Sequence, residues 1–133
     1  MYVVLSVVEY QMTRDIVLKN LKSGTIDLCF DDSMLTHYKE FGPMEKGQRY
    51  ECKIELVGDV FPNKQEGAAL CKIVDTNVYV GKKRMVKVLI GEDEYYLSFK
   101  ELEEIAYDDQ VYYECFRKDL IQVNDMIHGE FLD

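Results

Sequence analysis

Two stretches of this 133-residue chain begin with the same three residues: YECKIELV, residues 50–57, and YECFRKDLIQV, residues 113–123. In the first stretch apolar and charged residues alternate, and a period of two predicts a β-strand with one apolar face and one charged face. In the second stretch the same spacing places Val111, Tyr113 and Cys115 on the apolar face. Because a free cysteine behaves as a small hydrophobic residue, we predict that Cys52 and Cys115 are buried free thiols.

The similarity between the two halves extends beyond the YEC strands. SVVEYQ (residues 6–11) aligns with KIVDTN (72–77), and TIDLCF (25–30) aligns with EYYLSF (94–99), in the same order along the chain. The second alignment superposes two sets of alternate residues: Ile26, Leu28 and Phe30 on Tyr95, Leu97 and Phe99. The matching order of elements predicts an internal repeat, and chance alternation in two β-rich halves is the alternative.

Both halves contain the same predicted series: three strands, a short helix and the YEC strand. Turn residues and periodicity predict the first series as strands over Tyr2–Tyr10, Arg14–Lys22 and Thr25–Asp31, with a helix over residues 33–41. The second series is predicted as strands over Ala69–Tyr79, Lys83–Ile90 and Glu94–Ser98, with a helix that begins at the capping pair Ser98 and Glu101. A last strand is predicted over Leu120–Val123.

This order of elements resembles that of an OB-fold, a small and partly open β-barrel. We therefore expect a mainly β protein, of the α+β type with two short helices, built from tandem OB-like or small-barrel repeats. The repeats are predicted at residues 1–58 and 68–133, with a linker at residues 59–67 that contains Pro62 and Gly67. One larger barrel or sandwich, in which the halves share strands, is the alternative.

The composition bears on partners and on location. Lys and Arg number 16 against 25 Asp and Glu, a net charge of −9, which disfavours nucleic acid because binding to it gains affinity from a basic surface. The apolar start of the chain lacks the basic region of a signal peptide and is too short to span a bilayer. We expect a cytoplasmic protein with reduced thiols and no membrane partner.

One group of polar residues is similar to the site of a metal-dependent nuclease. Asp31 and Asp32 precede Glu51-Cys-Lys53 by about twenty residues, and two carboxylates with a lysine could hold Mg²⁺ and an attacking water. However, any strand with a charged face produces Glu-x-Lys, and the cysteines and histidines lack the spacing of a zinc site. We expect no enzyme activity, no metal and no cofactor.

Two sets of residues are candidates for binding. Lys82, Lys83 and Arg84 form a basic run at a predicted hairpin turn, a position that contacts oligonucleotides in OB-folds. Three rings point away from the predicted core of the second half by alternation: Tyr96, Tyr112 and Phe116. Such rings either bury against the first half or form a recognition surface.

The sequence therefore favours a non-enzymatic binding or interaction module whose partner is a protein or a second copy of the chain. Weak oligonucleotide binding through the basic run is one alternative. An acidic decoy that mimics nucleic acid is the other, and it depends on the net charge alone.

Overall fold

The computed structural model describes residues 1–36 and 40–133. Within them the chain forms ten strands that belong to one sheet, which confirms a mainly β protein. In chain order the strands are β1 (Tyr2–Glu9), β2 (Arg14–Asn20), β3 (Ile26–Asp31), β4 (Arg49–Tyr50), β5 (Cys52–Phe61), β6 (Ala69–Val80), β7 (Lys83–Ile90), β8 (Asp93–Ser98), β9 (Gln110–Val123) and β10 (Met126–Ile127). The described helices are α1 (Phe99–Glu103) and two 3₁₀ turns at Ser33–Leu35 and Gly129–Phe131.

Both predicted helices differ from expectation in detail. Helix α1 begins directly after Ser98, as the capping pair predicts, but the Ser98 side chain makes no capping hydrogen bond. Of the helix predicted over residues 33–41, the described part shows a 3₁₀ turn at Ser33–Leu35, while residues 37–39, which include Tyr38, lie outside the described residues. Phe41 is nevertheless buried, in agreement with its expected place on the apolar side.

The two halves are joined through their longest strands. β1–β2–β3 and β6–β7–β8 are each antiparallel, and β5 and β9 pair antiparallel with one another from Cys52 opposite Val123 to Phe61 opposite Tyr112. Each of these long strands also runs parallel to the third strand of the other half, since β3 pairs with β9 and β8 pairs with β5. Because β9 also pairs with β6, the pairings β6–β7–β8–β5–β9 return to their starting strand.

The first half has a comparable set of pairings. β9 lies between β3 and β5, and the chain just before β5 forms β4, which pairs with β1 through Tyr50 opposite Tyr2. Each half therefore uses a long strand of the other half as a neighbour of its own third strand. Strands of the two halves are thus neighbours in one sheet.

The main core is correspondingly common to both halves. It contains residues from the first half, such as Ile16, Leu18 and Ile54, and from the second, such as Val88 and Leu97. Burial of these side chains removes apolar surface from water, which is the dominant favourable contribution to folding. The main hydrophobic core is therefore built from residues of both halves.

Buried carboxylates add polar links between the halves. Asp27 on β3 accepts a hydrogen bond from the Tyr95 hydroxyl at 2.6 Å and pairs with the Lys118 ammonium at 2.5 Å. Asp93 on β8 accepts hydrogen bonds from the hydroxyls of Ser23 and Thr25. A buried carboxylate destabilises the fold unless it is paired or hydrogen-bonded. The partners of Asp27 and Asp93 come from the opposite half, so each half helps to stabilise a carboxylate of the other.

A second, smaller apolar cluster covers the outer face of the second half. Its buried members are Val80, Met85, Tyr96, Ile121 and Phe131. Phe131 belongs to the C-terminal segment, residues 126–131, which crosses this face after β10 pairs with the end of β9. The outer face of β7 and β8 is therefore covered by the chain itself.

The prediction for Cys115 is wrong, and a β-bulge is the reason. Val111 and Tyr113 are buried as expected, but Cys115 is exposed, and Cys52 is only partly buried. The β5–β9 register shifts at Gly58, so that Phe116 has no opposite residue. A bulge inserts one extra residue and disrupts the ladder locally, and the alternation that holds at Val111 and Tyr113 ends where the bulge begins, at Cys115.

On β3 the apolar residues of the alignment do not face the core. Ile26 and Leu28 face outward, whereas Asp27, Cys29 and Asp31 are buried. The aligned positions therefore differ in burial, since Ile26 and Leu28 are exposed whereas Tyr95 and Leu97 are buried.

The segment predicted as a linker has two parts. β5 continues to Phe61, so residues 59–61 belong to a strand, while residues 62–67 are exposed. In the described part of the chain, no helix has the length and apolarity needed to cross a membrane.

Candidate functional site

Two surfaces concentrate side chains that could contact a partner. We call the first the apolar face and define it by Ile26, Leu28 and Phe116. These side chains are 59 %, 61 % and 65 % exposed, respectively. Ile26 and Leu28 are two residues apart on β3, and the strand geometry places them on the same side of the sheet.

A groove of about 400 Å³ lies on the apolar face, between β3 and β9. Leu28, Phe30 and Phe116 contribute its apolar walls, and Arg117 and Lys118 contribute cations. Arg117 lies over the Phe30 ring, with its guanidinium carbon 4.8 Å from the ring centroid, and forms an ion pair with Asp119 at 2.5 Å. The groove therefore combines exposed apolar surface with polar groups that are already ordered.

The bulge accounts for the position of Phe116. With no residue opposite it on β5, its ring leaves the β5–β9 ladder and lies in the groove next to Leu28. The exposure of Phe116 agrees with the prediction that this ring lies outside the core. The sequence did not indicate Leu28, which lines the same groove, because apolar residues that alternate along a strand are usually its buried ones.

We call the second surface the basic groove and define it by Lys82, Lys83, Arg84 and Lys100. It has a volume of about 540 Å³ and lies between the β6–β7 hairpin, helix α1 and the C-terminal segment. Glu55, Glu103 and Glu130 also line it. The structure thus brings together the three predicted basic residues and adds Lys100, which the sequence did not indicate.

Two of the four cations of the basic groove, Lys83 and Arg84, contact aromatic rings or a backbone carbonyl. The Arg84 guanidinium carbon lies 3.7 Å from the centroid of Phe99, and Arg84 Nε donates a hydrogen bond to the Thr76 carbonyl at 2.9 Å. Lys83 Nζ lies 4.9 Å from the centroid of Phe131. Cation–π contacts of this kind position a charge without neutralising it.

Glu55 is the most perturbed carboxyl group in this region. Burial raises its pKa to about 7, and the negative charges of Asp119 and Glu101 act in the same direction, while Lys83 opposes them. Asp119 is the residue opposite Glu55 in the β5–β9 ladder. Like charges directly opposite one another on paired strands repel, which is consistent with a raised pKa.

The other two predicted rings lie in different surroundings. Tyr96 is buried in the smaller cluster, with Lys53 Nζ 5.7 Å from its ring centroid. Tyr112 is half-buried, opposite Phe61 on β5 and Leu70 on β6. Of the three predicted rings, the one on the apolar face is Phe116.

The residues of the nuclease-like pattern have separate partners. Asp31 is buried and accepts hydrogen bonds from Arg14 and from the Ser33 backbone, so both of its oxygens are in use. Glu51 instead forms an ion pair with the N-terminal amino group at 3.3 Å. In the described residues, no three His, Cys, Asp or Glu side chains are grouped so that they could hold a metal ion.

A buried ion pair holds the C-terminal segment in place. His128 Nε2 lies 2.6 Å from Asp32 Oδ1, and the ring makes edge contacts with Phe41 and Phe131. Burial lowers the pKa of His128, but the hydrogen bond and charge of Asp32 outweigh it, so that the pKa lies above its ordinary value. The same pair lowers the pKa of Asp32.

The comparisons with known proteins give no assignment. The sequence matches no protein-family model, and no curated protein or solved structure resembles the chain significantly.

Proposed function

We propose that this chain is a non-enzymatic protein-binding module that contacts its partner through the apolar face. The observation that carries the proposal is that Leu28 and Phe116, which are both more than half exposed, line one groove, and that the exposed Ile26 lies two residues before Leu28 on the same strand. Contiguous exposed apolar surface on a folded protein is a common sign of an interaction site, and aromatic residues supply much of the energy at such sites.

The covering of the second half supports this choice of surface. On β7 and β8 the outward residues Met85 and Tyr96 are buried beneath Phe131 of the C-terminal segment. On β3 the outward residues Ile26 and Leu28 have no such cover among the described residues. A partner protein on the apolar face would bury Ile26 and Leu28 in the first half, as the C-terminal segment buries Met85 and Tyr96 in the second half.

For the architecture, we infer two OB-like repeats, over residues 1–58 and 68–133, that exchange their long strands. The return of β6–β7–β8–β5–β9 to its first strand supports a small barrel in the second half. The position of α1 between β8 and β9, together with the parallel pairing of β8 with β5, suits the OB-like order. The first half differs in one respect. In the second half the long strand β9 pairs directly with β6, whereas in the first half β1 pairs with the separate short strand β4.

We retain the cytoplasm as the proposed location. All four cysteines are free thiols, which suits a reducing compartment. An oligonucleotide ligand receives less support than a protein, because the net charge of −9 opposes it. The acidic decoy has no support beyond that same charge.

A site-specific photocrosslinking experiment tests the proposal. A photoreactive residue at position 28 is expected to form an adduct with a protein in extract of the native host. The same residue at position 79 is the control, because Tyr79 is 57 % exposed but lies on the second half. Phe116→Asp should abolish the adduct at position 28 and cost little stability, since substitution of an exposed side chain usually changes stability by within about 0.5 kcal/mol.

Equal adducts at positions 28 and 79, or an adduct at position 28 that survives Phe116→Asp, would contradict the assignment of the surface. An adduct of twice the mass of the chain would identify the partner as a second copy.

A further inference from the structure

The basic groove is a local exception to the charge of this protein. Lys82, Lys83, Arg84 and Lys100 gather there although the chain has a net charge of −9. In the part of the chain that the structure describes, none of these four cations lies within 4.0 Å of a carboxylate oxygen. Cations that are not neutralised internally remain available to an anionic ligand.

Part of the groove is already ordered for binding. Phe99 and the Thr76 carbonyl hold Arg84, and Phe131 lies beneath Lys83. Because Arg84 uses only Nε in this contact, its remaining guanidinium nitrogens can donate to a ligand. Side chains that are ordered before binding lose less conformational entropy when the ligand arrives.

The rings of the groove indicate which part of a ligand it can contact. Phe99 lies against Arg84, and Phe131 is buried beneath Lys83, so neither ring presents a free face for a nucleobase. Binding of single-stranded nucleic acid depends on stacking of bases on such faces as well as on phosphate contacts. The groove therefore suits a ligand that consists mainly of phosphoryl groups.

We propose that the basic groove binds a small oligophosphate anion through Lys82, Arg84 and Lys100. Arginine matches phosphate oxygens with its planar fork, and the lysines contribute point charges from the hairpin and from α1. The volume of about 540 Å³ lies within the range of small-ligand sites.

Glu55 makes the proposed binding dependent on pH. Its carboxylate lines the same groove, with a pKa of about 7. The charged groups that face it from the surrounding elements are Asp119 and Arg117 on β9, Glu101 on α1, Lys83 on β7 and Glu130 in the C-terminal segment. Protonation of Glu55 removes a negative charge from the groove, so an anion binds more tightly as the pH falls through about 7.

Calorimetric titration of the whole protein with inorganic tripolyphosphate tests the proposal. We expect saturable binding of one anion per chain that weakens about tenfold in the double variant Lys82→Gln and Lys100→Gln. The control is Lys46→Gln and Lys64→Gln, which makes the same change in net charge at exposed positions outside the groove. The control should bind as the unmodified chain does.

The pH dependence provides a second readout. The unmodified chain should bind roughly three- to tenfold more tightly at about pH 6 than at about pH 8. The pKa of His128 is raised above its ordinary value, and tripolyphosphate itself takes up protons near neutral pH, so Glu55→Gln is needed to identify the responsible group. This variant should bind tightly at both pH values, because glutamine resembles the protonated carboxyl group. Far-UV circular dichroism checks that each variant is folded.

Three results would overturn the proposal. They are no saturable binding of tripolyphosphate, an equal loss of binding in the groove variant and its control, or tighter binding of a single-stranded oligonucleotide than of tripolyphosphate. The first two results would exclude a site in the groove. The third would identify nucleic acid, and not a small anion, as the ligand.

Discussion

His128 is buried between two rings and paired with a carboxylate, so its charge affects folding stability. The pKa is raised in the folded protein because Asp32 outweighs the effect of burial. A histidine with a raised pKa contributes stability that is fully present below its unfolded pKa, and this contribution is lost as the pH rises through the folded pKa. In the protonated ring Nδ1 can no longer accept the hydrogen bond from the Glu130 backbone N–H, and this loss reduces the stability gained from the charged pair.

Removal of Asp32 should reverse this dependence. In Asp32→Asn the raising carboxylate is gone, and burial, the largest single influence, should place the pKa of His128 below its ordinary value. We expect the stability of the unmodified chain, relative to that of the variant, to fall as the pH rises from below the ordinary histidine pKa through the raised pKa of the folded protein. Urea unfolding at a series of pH values measures the difference. A constant difference across this range would mean that the pair is not charged in the folded protein.

The sequence predicted the burial and the partners of individual side chains least well. The buried carboxylates Asp27 and Asp31 are tolerated because Tyr95, Lys118 and Arg14 reach them. Tyr95 and Lys118 are distant in sequence, so a rule that places apolar residues inside assigns β3 to the wrong face. The apolar face was missed for this reason, although Phe116 was selected correctly as a ring outside the core.

At the scale of the strands, the close approach of β5 and β9 depends on Gly58. A Cβ atom at position 58 would overlap the Glu114 carbonyl, where the ladder shifts register. Because the obstacle is backbone rather than a flexible side chain, a shift of the strands would be needed to accommodate it.

Gly58→Ala should therefore lower the free energy of unfolding by about 3 kcal/mol, the upper part of the range for overpacking. Gly24→Ala is the control, since a Cβ there meets no atom within 4 Å and only the backbone conformation, φ 81°, is unfavourable. We expect a loss of about 1 kcal/mol in the control. Urea unfolding of both variants provides the comparison, and an equal loss would show that the crossing of β5 and β9 tolerates a side chain.

Several strands were well predicted from alternation and turns, but the last strand predicted over Leu120–Val123 is the end of the long strand β9 and not a separate strand. The sequence placed β1 within one residue of its observed end, β7 at its observed bounds and α1 directly after Ser98. It could not reveal the bulge at Phe116, because Gly58, which allows it, lies in the other half of the chain. It predicted the hairpin cations of the basic groove but not Lys100 or Glu55, which other elements bring to the same place.

In the protein as a whole, β5 and β9 make the folding of each half dependent on the other. Each of these strands pairs with the third strand of the opposite half, and one core cluster includes residues from both. Burial of that core requires the halves to be together, since a half-chain would expose apolar surface on its long strand. The exposed residues 62–67 are the place where the chain can be cut without breaking a strand.

Separation of the halves at this point is the most direct test. A chain carrying a protease site within residues 62–67 is cleaved in the folded state, and the two fragments are also prepared alone. The cleaved chain should remain a one-to-one complex in sedimentation and unfold in a single transition, while each isolated fragment should lack cooperative unfolding. A fragment that folds cooperatively alone, or fragments that separate on cleavage without unfolding, would contradict the sharing of strands between the halves.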